Sequence, residues 1–149
     1  AMLAWLALNH DPSGKWFPAA DPALGPLVQQ WLAFSGRLTN SAGLARLHAM
    51  LNWPIDGEAA RRSAIKDLRE LELHLTDRVF EGKTWLVGDH PTIADIACFP
   101  YVALSPDAGL DHDGYPAIRN WLYGVRSLPG FVTMPGIHHL HELREAADV

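Results

Sequence analysis

The stretch Gly88-Asp89-His90-Pro91-Thr92-Ile93-Ala94-Asp95-Ile96 contains a complete helix start, and the residues that follow it leave almost no polar face. Thr92 can cap the amide of Asp95 while the Asp95 carboxylate returns a hydrogen bond to the amide of Thr92, which satisfies two donors that a helix end leaves open. Pro91 against Ile96 supplies the accompanying hydrophobic staple. From Ile93 to Leu104 the chain then reads Ile, Ala, Asp, Ile, Ala, Cys, Phe, Pro, Tyr, Val, Ala, Leu. A helix apolar on every side belongs in the centre of a core. Pro100 removes one backbone donor and predicts a kink. Thr92 and Asp95 are structural N-cap residues on this reading, and losing Thr92 costs about 0.5–2 kcal/mol.

Amphipathic helices are predicted on both sides of this spine. Upstream, Asp21-Pro22 makes a helix start, and Leu24, Leu27, Val28, Trp31 and Leu32 continue it at helical spacing. Gly36 and the polar run Thr39-Asn40-Ser41 weaken the middle, Leu44, Leu47 and Leu51 resume the stripe, and Asn52-Trp53-Pro54 ends it. One long bent helix or two consecutive ones fit this pattern. Between about Glu58 and Phe80 a second helix carries Ala64, Leu68, Leu71, Leu75 and Val79 on one face, with Arg61, Lys66, Arg69, Asp77 and Arg78 elsewhere. Downstream, Tyr115-Pro116 opens a helix with Ile118, Trp121, Leu122, Val125 and Leu128, stopped by Pro129-Gly130. A short last helix is predicted near Ile137 to Ala146. No segment alternates with period two. The fold class is all-α, a bundle of five to six helices around a buried central one.

The N-terminal segment differs. Met2 to Leu8 reads as helix without a capping residue before it, like the end of a helix whose beginning is absent, and Asn9 to Ala20 is broken by Asp11-Pro12, Gly14 and Pro18. Residues 1–20 are therefore expected to be a helix remnant plus linker, with Trp16 and Phe17 pinning the linker to the body, and residues 21–149 to be the helical domain.

Composition bounds the function. A chain of 149 residues, 48% apolar and 19% charged, is expected to form one globular core that removes about 70% of its unfolded surface from water. The formal charge is −5, with Lys and Arg scattered among acids, so no footprint for nucleic acid or anionic lipid is present. No apolar run approaches the ~18 residues of a membrane helix. Cys98, the one cysteine, lies in the apolar spine and reads as a buried, inert thiol, which fits a reducing cytoplasm. His138, His139 and His141 cluster, but His141-Glu142-Leu143-Arg144-Glu145 lacks a second His four positions on, so no metal site is expected. His10, His48, His74, His90 and His112 read as surface or loop residues, Glu70 and Glu72 as ordinary helix-surface partners of Lys66 and Arg69, and most tryptophans as core.

The run Trp85 to Ala97 resembles the capping box and staple before the central helix in the C-terminal domain of glutathione transferases. Asp21-Pro22 with Val28-Gln29-Gln30-Trp31-Leu32, then Tyr115-Pro116-Ala117-Ile118, Trp121-Leu122 and Leu128-Pro129-Gly130-Phe131 follow in the family's order, so the resemblance covers about residues 1 to 136. It implies a helical domain that supplies the hydrophobic wall of an acceptor-substrate pocket and dimer contacts for glutathione conjugation to electrophiles. A thioredoxin-like domain holds the catalytic Ser, Tyr or Cys in the family, and that motif set is not in this sequence, so the resemblance is to the second domain alone, natural or truncated. No catalytic residue is assigned, and glutathione is a co-substrate only if the thioredoxin-like domain is supplied. By the same resemblance the pocket candidates are Ser35, Asn40, Arg46 and Tyr101. A homo-oligomer is expected, with self-association through apolar surface on the first long helix and on Met2 to Leu8. The alternative is a non-enzymatic interaction or assembly module.

Overall fold

The computed structural model describes residues 1–137. Helices α1 (Met2–His10), α2 (Leu24–Leu38), α3 (Leu44–Leu51), α4 (Gly57–Phe80), α5 (Ile93–Ala103) and α6 (Pro116–Arg126) make the bundle. A π-helical segment, Thr39–Gly43, joins α2 to α3, and a 3-10 turn, Ser105–Ala108, follows α5. The extended pairing among the described residues is an isolated antiparallel bridge between Met134 and Ile137. The last helix expected from Ile137 to Ala146 lies outside the described residues beyond Ile137.

Helix α5 is the centre, as the sequence requires. None of its residues is exposed, and Ala94, Asp95, Cys98 and Val102 have no measurable surface. Its widest contact is with α2, and α1 and α6 pack on it too. The helix is unbroken at Pro100. Its head is tied down by more than the predicted box, both halves of which are present: Thr92 Oγ1 also accepts from the amide of Ala94 at 3.2 Å, and the amide of Ile93 donates to the carbonyl of Trp16 at 2.9 Å. That last bond fastens the linker to α5, while Phe17 inserts into the core and Trp16 stays partly exposed.

The long segment from Leu24 to Leu51 is continuous and changes winding in its polar middle. A π turn adds a residue, which rotates the following side chains. Here Ser41 is buried and donates to Asp67 on α4 at 2.6 Å. The helix begins at Leu24 rather than at Pro22, because the Asp21 carboxylate accepts from the amides of Ala23 and Leu24, at 2.8 and 3.0 Å, across a turn. Gly25 has no room for a side chain: a Cβ there would stand 3.0 Å from the carbonyl oxygen of Pro18. Asn52 ends α3 in the left-handed region, φ 50°, donating its amide to His48.

Two expectations for α4 are corrected. Val79 is exposed, since the last turn overshoots the core, and Arg78 folds inward instead, donating through Nε to Trp85 at 3.0 Å and through its terminal nitrogen to Gly88. Glu72 is a long-range cap and not a surface partner of Lys66 or Arg69. Its carboxylate accepts from the amides of Ala117 and Ile118, at 2.9 and 2.8 Å, and so starts α6, whose first residue is the predicted Pro116. Of the tryptophans, Trp31 and Trp121 are buried, whereas Trp5 and Trp53 are exposed.

Candidate functional site

Asp95 anchors the geometry around which any site is built. Its Oδ1 accepts from the amide of Leu86 at 3.0 Å and from Trp121 Nε1 at 2.9 Å, and its Oδ2 from the amide and hydroxyl of Thr92 at 2.9 and 3.3 Å. Complete burial raises its pKa, and the four donors pull the other way. Three of these four contacts are N–H groups that can only donate, so the carboxylate form fits. This polar centre joins the Trp85–Asp89 loop, α5 and α6 and makes it a structural group.

The sequence-predicted pocket residues lie along the α2–π–α3 segment and α5. Ser35 donates its hydroxyl to Leu32 at 2.7 Å, and Asn40 donates its amide to Gly36 at 2.9 Å, so both are partly spent on their own helix. Arg46 pairs with Asp107 of the 3-10 turn at 2.7 Å. Tyr101 lies over Gly43, where a Cβ would meet its ring at 3.4 Å, and its hydroxyl has no hydrogen-bond partner among the described residues. None of the four is held by another. Asn40 opens instead onto a hollow of about 680 Å³ between α2 and α4.

That hollow holds residues the sequence reading missed. Arg37 donates to Asp67 at 2.5 Å and forks onto Glu70 at 3.0 and 2.7 Å, while its guanidinium lies 4.8 Å from the centre of the Phe34 ring. Glu70 is accordingly held below the usual carboxylate range, chiefly by its hydrogen bonds from Arg37. Beside it a second hollow of about 540 Å³ is lined by Trp31, Phe34, Arg37, Glu70 and His74. His74 is no loop residue: its ring packs 4.4 Å from that of Trp31 and its Nε2 meets the carbonyl of Leu86 at 2.9 Å. A sequence signal existed for Asp67, a lone acid among Ala64, Leu68 and Leu71 on an apolar face, which demands a partner. The partner, 30 residues away, carries no such mark.

A third concavity of about 300 Å³ is apolar and runs between α1 and the head of α5, lined by Leu3, Leu6, Ala7, Trp16, Ile93 and Ile96. Beside it α1 exposes Met2, Trp5 and Leu8.

The nucleophile candidates are quiet. Cys98 is fully buried, donates weakly to the carbonyl of Trp31 at 3.5 Å, and has its pKa pushed far up by burial. Ser105 and His112 meet at 3.0 Å, yet Ser105 Oγ donates to Leu110 and His112 Nε2 meets the carbonyl of Val102, so the pair closes a loop. Among the described residues no group of three His, Cys, Asp or Glu could hold a metal, and His138, His139 and His141 lie outside them. No described helix is long and apolar enough to cross a membrane.

Comparison with known proteins agrees with this architecture. Residues 29–122 match the family model described as glutathione S-transferase, C-terminal domain. Glutathione S-transferase F13 of Arabidopsis thaliana is 29% identical over 146 residues, covering 92% of this chain and 66% of the relative. The disulfide-bond oxidoreductase YfcG of Escherichia coli is 39% identical over 56 residues, 38% of this chain and 26% of that protein. A glutathione S-transferase structure from Xanthobacter autotrophicus Py2 superposes with a TM-score of 0.76 at 28% identity, covering 95% of this chain and 66% of that one. The chain thus spans about two thirds or less of the length of these relatives. By its matched residues and its helical architecture, the chain belongs to the glutathione S-transferase family, through that family's C-terminal domain.

Proposed function

We propose that this chain is the helical half of a glutathione-conjugating unit: it supplies one wall of the pocket for a hydrophobic electrophile and contacts to a second copy, while a thioredoxin-like domain supplies the glutathione site. The observation that carries the reading is the apolar concavity between α1 and α5, flanked by exposed Met2, Trp5 and Leu8, which has the character of a surface made to be covered. Tyr101, with its free hydroxyl, and Ser35, Asn40 and Arg46 are the polar groups offered to the acceptor molecule or to the rim of its pocket.

Conjugation needs a donor that stabilises the glutathione thiolate. The Cys98 thiol is enclosed, and the Ser35 and Ser105 hydroxyls donate to carbonyls of their own segments. The 149-residue chain is therefore expected to give no rate above buffer when mixed with glutathione and a chromophoric electrophile. Measurable turnover proportional to protein would overturn the assignment of thiol activation to another domain. The same apolar surface also favours a second reading, a non-enzymatic assembly module. The two separate when a thioredoxin-like glutathione-binding domain is joined ahead of Ala1: conjugation by the joined protein supports the first reading, and its absence in a folded fusion supports the second.

A further inference from the structure

An aspartate followed by glycine is open to backbone isomerisation, because no side chain shields the glycine nitrogen and the main chain there turns freely. The sequence contains this pair twice, as Asp56-Gly57 and Asp113-Gly114, and no asparagine precedes a glycine. At Asp11-Pro12 and Asp21-Pro22 the following nitrogen has no hydrogen to give up. The fold treats the two Asp-Gly pairs differently.

Asp56 is held. It is the N-cap of α4, its Oδ1 accepting from the amide of Ala59 at 2.9 Å and its carbonyl from that of Ala60 at 3.1 Å. Gly57, the first residue of that helix, lies so close to α3 that a Cβ would stand 2.1 Å from the His48 ring. Swinging the Asp56 carboxyl onto the Gly57 nitrogen would remove the cap and press on that contact. Asp113 has neither restraint. It and Gly114 are the exposed central residues of a turn, which the Tyr115 amide closes on the His112 carbonyl at 3.0 Å. Among the described residues the Asp113 carboxylate accepts no hydrogen bond and the Gly114 amide donates none. A Cβ on Gly114 would meet nothing within 4 Å.

We propose that Asp113-Gly114 is a site of spontaneous isomerisation to isoaspartate. The Gly114 nitrogen attacks Asp113 Cγ, and the new N–C bond closes a succinimide ring. One carboxyl oxygen leaves as water, carrying the amide proton and the proton of the carboxyl group. Water then reopens the ring: attack at Cγ restores aspartate, and attack at the main-chain carbonyl gives isoaspartate. The net change is a rearrangement, with no atom or electron gained or lost. In the product the chain runs through the side-chain carbons, so one extra methylene separates His112, which meets Ser105 and Val102, from Tyr115, the N-cap of α6. The site is independent of glutathione conjugation, because neither residue belongs to the proposed acceptor wall.

The test holds the folded 149-residue protein in warm, neutral buffer made with heavy-oxygen water, digests it in ordinary water and locates the label by fragmentation mass spectrometry. Each ring opening inserts one heavy oxygen. Asp113 is expected to take up label and its peptide to split into two chromatographic peaks of equal mass, while Asp56 stays unlabelled. In urea both are expected to be labelled, because the restraint on Asp56 comes from the fold. Gly114 lies outside the left-handed region and faces open space, so Gly114→Ala should keep the unfolding midpoint and lose most of the Asp113 label. An unlabelled Asp113 in the folded protein, equal label at Asp56 there, or full label in the alanine variant would overturn the proposal.

Discussion

Replacing Asp95 with asparagine tests the polar centre of the fold by exchanging one carboxylate oxygen for an amide group. The NH₂ must face either the pair of donors on Oδ1, Leu86 N and Trp121 Nε1, or the pair on Oδ2, the Thr92 amide and hydroxyl. The second placement costs less, because the Thr92 hydroxyl can rotate and accept. It still strands the Thr92 amide in a site with no surface, together with at least one hydrogen of the new group. An unsatisfied buried donor costs about 1–3 kcal/mol, so the two amount to about 2–6 kcal/mol, a large share of the ~5–15 kcal/mol that holds a domain together. With a urea dependence of about 2 kcal/mol/M, the unfolding midpoint should fall by about 1–3 M. Thr92→Val removes only the hydroxyl and should cost about 0.5–2 kcal/mol. Urea denaturation followed by tryptophan fluorescence reads both, since Trp121 sits on the carboxylate. An Asp95→Asn loss below about 1 kcal/mol would refute the reasoning, because it would mean that Asp95 is already protonated or its donors have other partners.

Glu72→Ala removes the acceptor for the Ala117 and Ile118 amides, and should cost about 1–2 kcal/mol by the same denaturation assay; an unchanged midpoint would mean that water caps α6 equally well. The His112 pKa is lowered from its ordinary 6.5, first by burial, so the unfolded chain takes up a proton before the folded one does. Stability should accordingly be constant above pH 6.5 and fall as the pH drops below it toward the folded value, and His112→Gln should flatten that slope. Exposed Trp5 and Leu8 on α1 predict self-association of the isolated chain at micromolar concentration, reduced by Trp5→Glu with Leu8→Glu and measured by sedimentation; a strictly monomeric parent chain would count against it.

Local signals made the skeleton of this protein legible. The Thr92–Asp95 start, the apolar spine after it, Tyr115-Pro116, and the stop at Asn52-Trp53-Pro54 each act within a few residues, where hydrogen-bond and backbone preferences leave little choice. Long-range partners were not legible. Asp67 and Arg37 are 30 residues apart, and Glu72 and Ala117 are 45 apart. Glu70 and Glu72 have acceptable neighbours on their own helix, so nothing local distinguishes them from surface pairs. The tryptophans show the same limit: Trp5 and Trp121 both sit on apolar helices, and only packing leaves one exposed while enclosing the other.

Sequence alone therefore determined the all-α class, the buried position of α5 and the cap at its head, because periodicity and capping are properties of adjacent residues. Tertiary structure decided which polar groups meet: the Asp95 quartet, the Arg37 fork, and the cap that α4 lends to α6. The physical reason is range. A helix closes its hydrogen bonds within four residues, whereas a buried charge takes its partner from whatever element the folded core brings beside it.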